Sequence, residues 1–151
     1  MPDLAEFREH AENFLPSASL QQCGDFYKKL LSSKAHKVFI RELAKIDRWF
    51  LLVVLLNRKD AVHPWLYDRC REVEKGSDGR LDLWARGHYK STIITYAGTI
   101  QEVLRNPNTT IGIFSHTRPI AKGFLKQIKR EFEVNEFLRE LFPDICYQNP
   151  R

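Results

Sequence analysis

One stretch of the sequence, residues 80–115, constrains the fold more than any other. Residues 80–85 alternate apolar and polar side chains, and residues 109–115 are rich in β-branched residues, so both predict strands. Between them, residues 90–105 place apolar side chains at the spacing of an amphipathic helix. A strand, a helix and a second strand within about 35 residues have the length of a parallel βαβ unit with a right-handed crossover. The sequence therefore predicts an α/β fold.

The rest of the chain predicts mostly helices. Before the βαβ unit, apolar side chains recur at helical spacing over residues 4–15, 18–32, 34–57 and 64–75. After the unit, helices are predicted from Arg118 to about Glu133 and over residues 135–142. We therefore expect a helical N-terminal segment at residues 1–75, followed by the α/β part at residues 76–151.

The chain carries an excess of positive charge, which favours an anionic partner. Its formal net charge is +5 and its pI is about 9.2, values that suit binding to a nucleotide or to DNA. Four basic residues, Lys122, Lys126, Lys129 and Arg130, share one face of the helix predicted after Arg118. That face either contacts DNA phosphates or is simply solvated.

Residue spacing argues against two other kinds of site. The three cysteines, Cys23, Cys70 and Cys146, lie far apart and form no CxxC pair or Cys/His cluster. We therefore expect neither a zinc site nor a disulfide framework, and we expect a reducing compartment. The longest apolar run, Trp49 to Leu56, is far shorter than the ~20 residues that span a bilayer, so no membrane contact is expected.

The loop between the first predicted strand and the helix has the parts of a phosphate-binding loop. Its residues are Arg86, Gly87, His88, Tyr89, Lys90, Ser91 and Thr92. In such a loop the backbone N–H groups turn inward, a lysine reaches the terminal phosphates, a following hydroxyl holds Mg²⁺, and the helix N-terminus adds positive charge.

The loop departs from the strict G-x-x-x-x-G-K-[ST] pattern. Trp84 and Tyr89 stand at the two glycine positions. The glycine before the lysine normally adopts a backbone conformation that other residues resist, and Gly87 supplies some of that freedom two residues earlier. The other interpretation is a glycine-containing turn from strand to helix with an exposed lysine.

The segment from Leu83 to Thr92 resembles the variant Walker A motif of phage terminase large subunits. In that family an arginine commonly stands four residues before the lysine, and an aromatic residue often replaces the glycine directly before it. Arg86 and Tyr89 match both habits. Residues 106–116 and 121–143 are similar to the family's next strand and helices. The resemblance covers about residues 45–147 and is absent from residues 1–40.

The resemblance implies the start of a RecA-like P-loop ATPase fold whose core sheet is incomplete in this chain. By that resemblance, Lys90 would bind the β- and γ-phosphates of ATP, and Ser91, in preference to Thr92, would bind Mg²⁺. Arg86 would reach the phosphates or sense hydrolysis. The segment His63-Pro64-Trp65 would border the adenine, and the segment Ser115-His116-Thr117 would contact DNA or couple it to the motor.

The family's activity is the ATP-driven translocation of double-stranded DNA into a procapsid. Its partners would be the portal, the small terminase subunit and further copies of the large subunit in an oligomeric ring. The resemblance places this chain in the cytoplasm of an infected or lysogenic bacterial host.

An ATPase of this kind also needs an apolar strand that ends in paired acids, and we find none in the sequence. Asp144 follows a proline, and Asp82 lies on the strand before the loop. Since no catalytic residue or nuclease cluster is identifiable, the sequence leaves open whether this chain is an enzyme. We expect a reading frame that is truncated before Walker B, or a split gene. The alternatives are a non-catalytic DNA-binding or assembly module, or another P-loop NTPase such as a helicase-like ATPase.

Overall fold

The computed structural model describes residues 3–32, 37–76 and 79–146, and the described residues fold into a set of packed helices. The α-helices are α1 (Leu4–Phe14), α2 (Leu20–Ser32), α3 (Lys37–Ile46), α4 (Arg48–Phe50), α5 (Pro64–Lys75), α6 (Gly98–Arg105), α7 (Arg118–Val134) and α8 (Glu136–Leu141). Two π-helical segments, Leu51–Leu55 and Thr92–Ala97, follow α4 and precede α6. A 3₁₀ turn spans Lys59–Ala61.

The expected α/β fold is wrong, because the described residues contain no strand and the fold is all-α. Neither the βαβ unit at residues 80–115 nor a RecA-like core sheet forms. A strand is stable only when its backbone groups pair with a neighbouring strand, and residues 80–85 and 109–115 find no such partner. The apolar side chains that would have faced a sheet core stay exposed, at 79% for Leu81, 81% for Leu83 and 95% for Phe114.

The predicted helices agree with the structure in place and approximate length, apart from the longest. Residues 34–36, where that helix was predicted to begin, lie outside the described residues. Within the rest of it, α3 ends at Ile46 and the backbone of Asp47 leaves the helical region, with φ −120° and ψ 101°. The Asp47 carboxylate then accepts a hydrogen bond from the Phe50 N–H at 3.0 Å, so this aspartate caps a new helix.

Most helix starts have a side chain that accepts hydrogen bonds from the first turn. Asp3 and Glu6 form a capping box at the start of α1. The Nδ1 atom of His63 accepts from the Trp65 N–H at 3.1 Å at the start of α5, and Pro64 occupies the first helical position. Asn135 accepts from the Leu138 N–H at 3.0 Å and caps α8. These caps are local signals that coincide with the observed helix starts.

The hydrophobic core draws side chains from both sides of residue 75, where the sequence predicts a boundary. Its largest fully buried members include Trp49, Phe50, Leu52, Ile93, Ile100, Leu104, Leu138 and Phe142. Ile93, Tyr96 and Ala97 bury one face of the helix that follows the loop at residues 86–89. That helix therefore provides a firm base for the loop.

A buried polar network links the helices that surround the core. The guanidinium of Arg71 donates to both carboxylate oxygens of Asp47, at 2.9 and 3.2 Å, and to Glu74 at 2.9 Å. Tyr27 donates to Asp47 from α2 at 2.5 Å. Desolvation by burial raises the pKa of Glu74, and the arginine opposes that shift. Arg71 therefore supplies the positive charge that contacts both Asp47 and Glu74 in this network.

The three cysteines are all buried in helical surroundings. Burial raises the pKa of the Cys70 thiol and raises that of Cys146 to about 11, so both sulfur atoms are protonated at neutral pH. In the part of the chain that the structure describes, no helix is both long enough and apolar enough to cross a membrane.

Candidate phosphate-binding site

The loop at residues 86–92 lines a cleft of about 730 Å³. The cleft is bounded by Arg58, Trp84, Ala85, Arg86, Gly87, His88, Tyr89, Lys90, Ser91, Thr92 and His116. All seven residues that the sequence predicts for phosphate contact therefore border one space. Three basic residues, Arg58, Arg86 and Lys90, line that space, and Arg58 is paired with Asp60.

The backbone of the loop takes a left-handed conformation at two positions. The φ angle is +83° at Gly87 and +59° at Tyr89. Left-handed residues of this kind occur in backbone turns that bind anions, although the N–H group of His88 here donates to the Ala85 carbonyl at 3.4 Å. Tyr89 is the residue directly before the lysine, and it adopts the conformation for which glycine is ordinarily required.

A helix begins directly after Tyr89, whose carbonyl accepts from the Ile93 N–H at 2.9 Å. The N–H groups of Lys90, Ser91 and Thr92 lie in the first turn and have no partner within the helix, by the geometry of any helix start. They add partial positive charge at the cleft. The loop therefore presents backbone donors as well as cationic side chains.

The side chains of Lys90 and Ser91 are only lightly engaged within the protein. The Lys90 ammonium lies 3.5 Å from the carbonyl oxygen of Asp82, which is at the long limit for a hydrogen bond. Ser91 is exposed, and its hydroxyl has no hydrogen-bond partner among residues 3–32, 37–76 and 79–146. One hydroxyl fits Mg²⁺ that arrives with a polyphosphate, since this ion keeps several waters and takes few protein ligands.

Asp60 joins the loop to the segment that precedes α5. Its carboxylate accepts from Arg58 Nε at 3.0 Å and Nη2 at 2.8 Å, and from the Tyr89 hydroxyl at 2.9 Å. The hydrogen bonds from Arg58 and then from Tyr89 lower the pKa of Asp60 to about 2. The Arg58 guanidinium also lies over the Tyr89 ring, 5.8 Å from its centroid. Three side chains thus hold each other at the edge of the cleft.

An aromatic group lies beside the loop. The ring of Trp65 meets Trp84 at 5.7 Å and His88 at 5.3 Å between centroids, both edge to face. A second cavity of about 440 Å³ is lined by His63, Trp65, Leu66, Gly87, His88 and Tyr89. Of the three residues predicted to border an adenine, His63 and Trp65 line this cavity with the loop and Pro64 does not, and the imidazole of His63 is engaged as a helix cap.

The segment predicted to contact DNA or couple it to the motor is only partly at this site. His116 borders the cleft, whereas Ser115 and Thr117 are exposed and do not line it. Thr117 is the residue before α7, and its side chain makes no capping hydrogen bond. The structure therefore brings one of the three predicted residues to the loop.

Two carboxylates that contact residues of the cleft region are paired with arginines. Asp60 pairs with Arg58, and Asp82 pairs with Arg80 at 3.0 Å between Nε and Oδ1. A general base must be able to accept a proton from the attacking group, and the lowered pKa of Asp60 makes that carboxylate a poor acceptor. Asp60 therefore suits a structural role at the cleft better than the role of a general base.

The sequence analysis missed Arg58 and Asp60. They belong to the polar run Asn57-Arg58-Lys59-Asp60, which marks the end of the long apolar helix and reads as an ordinary solvated turn. The one available signal was that the segment Asp60–Glu74 resembles the family's adenine-side segment, which begins at the end of this run. Nothing in residue spacing links it to a loop so far along the chain.

Comparisons with protein-family models, with curated proteins and with solved structures each returned no match for this chain.

Proposed function

We propose that this chain is a nucleotide-binding protein whose loop at residues 86–92 holds the phosphates of ATP. The observation that carries the proposal is the left-handed backbone of Tyr89, with φ +59°, directly before a lysine that begins a helix. A residue with a side chain resists that conformation, so its presence here indicates a loop shape that the surrounding structure enforces. The turn places the helix start beside Lys90, where the first N–H groups of the helix can donate to an anion.

Each part of the loop has a role in this proposal. Lys90 contacts the terminal phosphates, and Arg86, which is exposed and forms no ion pair within the described residues, supplies a second cation from the loop. Ser91 offers its hydroxyl to Mg²⁺, which neutralises phosphate charge when it is bound with ATP. Trp65 and His88 offer aromatic faces and edges to the nucleobase from the adjoining cavity.

The wider role that we propose is the ATP-binding part of a DNA-packaging motor. It rests on the likeness of residues 83–92 to the variant Walker A motif of terminase large subunits, with Arg86 and Tyr89 at the two characteristic positions. In that role the chain acts with double-stranded DNA, the portal and the small terminase subunit. The all-α arrangement of the described residues lends this role no support of its own.

Binding of ATP to the Lys90→Ala variant tests the proposal. The charge-assisted hydrogen bonds of one lysine contribute about 1.5–3 kcal/mol, so we expect the Kd for Mg-ATP to rise roughly 10- to 100-fold in calorimetric titration. Lys29→Ala is the matched control, because Lys29 is an exposed lysine of α2 and its loss changes net charge equally. Equal affinities for wild type and Lys90→Ala would refute a phosphate site at this loop.

A second candidate function is DNA binding by α7. Lys122, Lys126, Lys129 and Arg130 are all exposed on this helix, and none of them forms an ion pair with any residue that the structure describes. Four uncompensated charges on one face are what phosphate contacts require. In this case DNA affinity would depend on salt and be indifferent to ATP.

A further inference from the structure

We propose that Arg58 is a phosphate-binding residue of the cleft and that Asp60 is the positioning residue that aims it. The inference rests on the proposed function, because it assigns a further ligand to the same polyphosphate. It gives a role to Arg58 and Asp60, to which neither the loop motif nor the resemblance assigns one. The ligand class is a nucleotide polyphosphate, and the shared chemistry is that of its anionic oxygens.

The first step is the place of Arg58. It lines the same cleft as Arg86 and Lys90, although it follows the π-helical segment at Leu51–Leu55 and comes well before the loop. Its backbone is fixed on both sides: the Arg58 N–H donates to the Leu52 carbonyl at 3.1 Å, and the Arg58 carbonyl accepts from Ala61 at 3.0 Å. Ala61 is fully buried, so the turn that presents Arg58 is anchored in the core.

The second step concerns the hydrogen-bond donors of the Arg58 guanidinium. Asp60 occupies the edge of the guanidinium formed by Nε and Nη2. Neither of the two hydrogen bonds to Asp60 uses the Nη1 atom, and the side chain borders an open cleft. A guanidinium carries five N–H groups in a fixed plane, so one edge binds a carboxylate while another stays available for a phosphate oxygen.

The third step is the coupling of Arg58 to the loop. The Oδ2 atom of Asp60 accepts from both Arg58 and the Tyr89 hydroxyl. Tyr89 in turn has the left-handed backbone that shapes the loop before Lys90. One carboxylate therefore fixes the direction of a cation and the side chain of a strained loop residue together. This is how a group outside direct reach of a ligand sets the geometry of those that touch it.

The experiment is titration of Mg-ATP and of inorganic pyrophosphate into the full chain by calorimetry. We expect Arg58→Ala to weaken both ligands about 10-fold or more. Arg41→Ala is the matched control, since Arg41 also pairs with a carboxylate, lies over an aromatic ring and is similarly exposed, at 29% against 27% for Arg58. Its loss should change neither affinity by more than about twofold.

A double-mutant cycle tests the positioning role of Asp60. Asp60→Asn keeps an acceptor for the Tyr89 hydroxyl but removes the charge that orients Arg58. We expect it to weaken pyrophosphate binding in the wild type and to add little in the Arg58→Ala background. A purely structural role would give the same loss in both backgrounds and would overturn this assignment. Arg58→Lys, which keeps the charge without the planar fork, should bind with intermediate affinity and serves if Arg58→Ala does not fold.

The outcomes separate the two proposals. If the wild type binds neither ligand, the phosphate site itself is wrong and Arg58 has no role in it. If the wild type binds and Lys90→Ala loses affinity while Arg58→Ala and Arg58→Lys bind normally, the site stands and the inference about Arg58 is overturned. Loss in Arg58→Ala but not in Arg41→Ala supports it.

Discussion

The substitution Gly87→Ala tests whether the left-handed backbone of the loop contributes to stability or to ligand binding. A Cβ atom at Gly87 would meet no atom within 4 Å, so added bulk costs nothing there. The cost comes only from holding an alanine at φ +83°, which is about 1–2 kcal/mol. That free energy must appear in one of two measurements, stability or affinity.

If the loop keeps its shape without ligand, the strain lowers the free energy of unfolding. For a chain of this size, 1–2 kcal/mol corresponds to a fall in Tm of roughly 2–8 °C. If the exposed loop of the variant instead relaxes to a different backbone conformation, Tm is unchanged. The backbone strain then lowers ligand affinity, because the ligand must restore the left-handed conformation at residue 87. The Kd for Mg-ATP or pyrophosphate then rises about 5- to 30-fold. We therefore expect the two losses, expressed as free energies, to sum to about 1–2 kcal/mol.

The control is Gly123→Ala in α7, which also adds a Cβ atom to open space but at an ordinary helical backbone. Alanine is the better helix former, so this variant should gain about 0.5–1 kcal/mol of stability and bind as the wild type does. Thermal unfolding and calorimetric titration of all three proteins give the comparison. If Gly87→Ala matches the wild type in both stability and affinity, the left-handed loop is not a functional constraint and the reasoning fails.

Two further predictions concern other parts of the molecule. Arg71→Met leaves Asp47 and Glu74 buried without their cation, so the free energy of unfolding measured in urea should fall by about 3–5 kcal/mol. Arg69→Met, at a more exposed ion pair of the same helix, should lower it by less than about 1 kcal/mol. Equal effects of the two substitutions would mean that burial of the network is unimportant. If α7 binds duplex DNA, the slope of log Kd against log salt should fall by roughly 0.9 for each of its four basic residues that is replaced by glutamine, and an unchanged slope would exclude that face.

The helices could be predicted because the signals that form them are local. Asp3 with Glu6, His63 with Pro64, and Asn135 each supply a cap within a few residues of the helix that they begin. Their apolar faces repeat at helical spacing, so position and face follow from the sequence alone. The break at Asp47 was missed because its cause is not local: the carboxylate is held by Arg71 and Tyr27, which come from two other helices.

The strands were predicted wrongly because alternation is a necessary signal but not a sufficient one. Residues 81–85 do alternate in exposure, yet Leu81 and Leu83 face solvent while Asp82 and Trp84 are half-buried. The alternation is therefore present, but the face with Asp82 and Trp84 points inward, and Trp84 packs against the core. A pattern of period two states which residues share a face, and only a pairing partner decides which face is covered.

In the candidate site, too, the local features could be predicted from the sequence and the long-range contacts could not. Its loop is contiguous in the chain, so the order of glycine, aromatic residue, lysine and hydroxyl can be seen in the sequence. In the structure, the aromatic residue of that order, Tyr89, has a left-handed backbone. Arg58 and Asp60 reach the loop only through the fold, by way of one hydrogen bond to Tyr89. Since Tyr89 stands where a glycine would have no side chain, that bond exists only because the glycine is absent. A tyrosine in place of the glycine thus gives the loop a connection to Arg58 that the strict motif could not make. We therefore expect related sequences that have a glycine at position 89 to lack the pair of Arg58 and Asp60 as well.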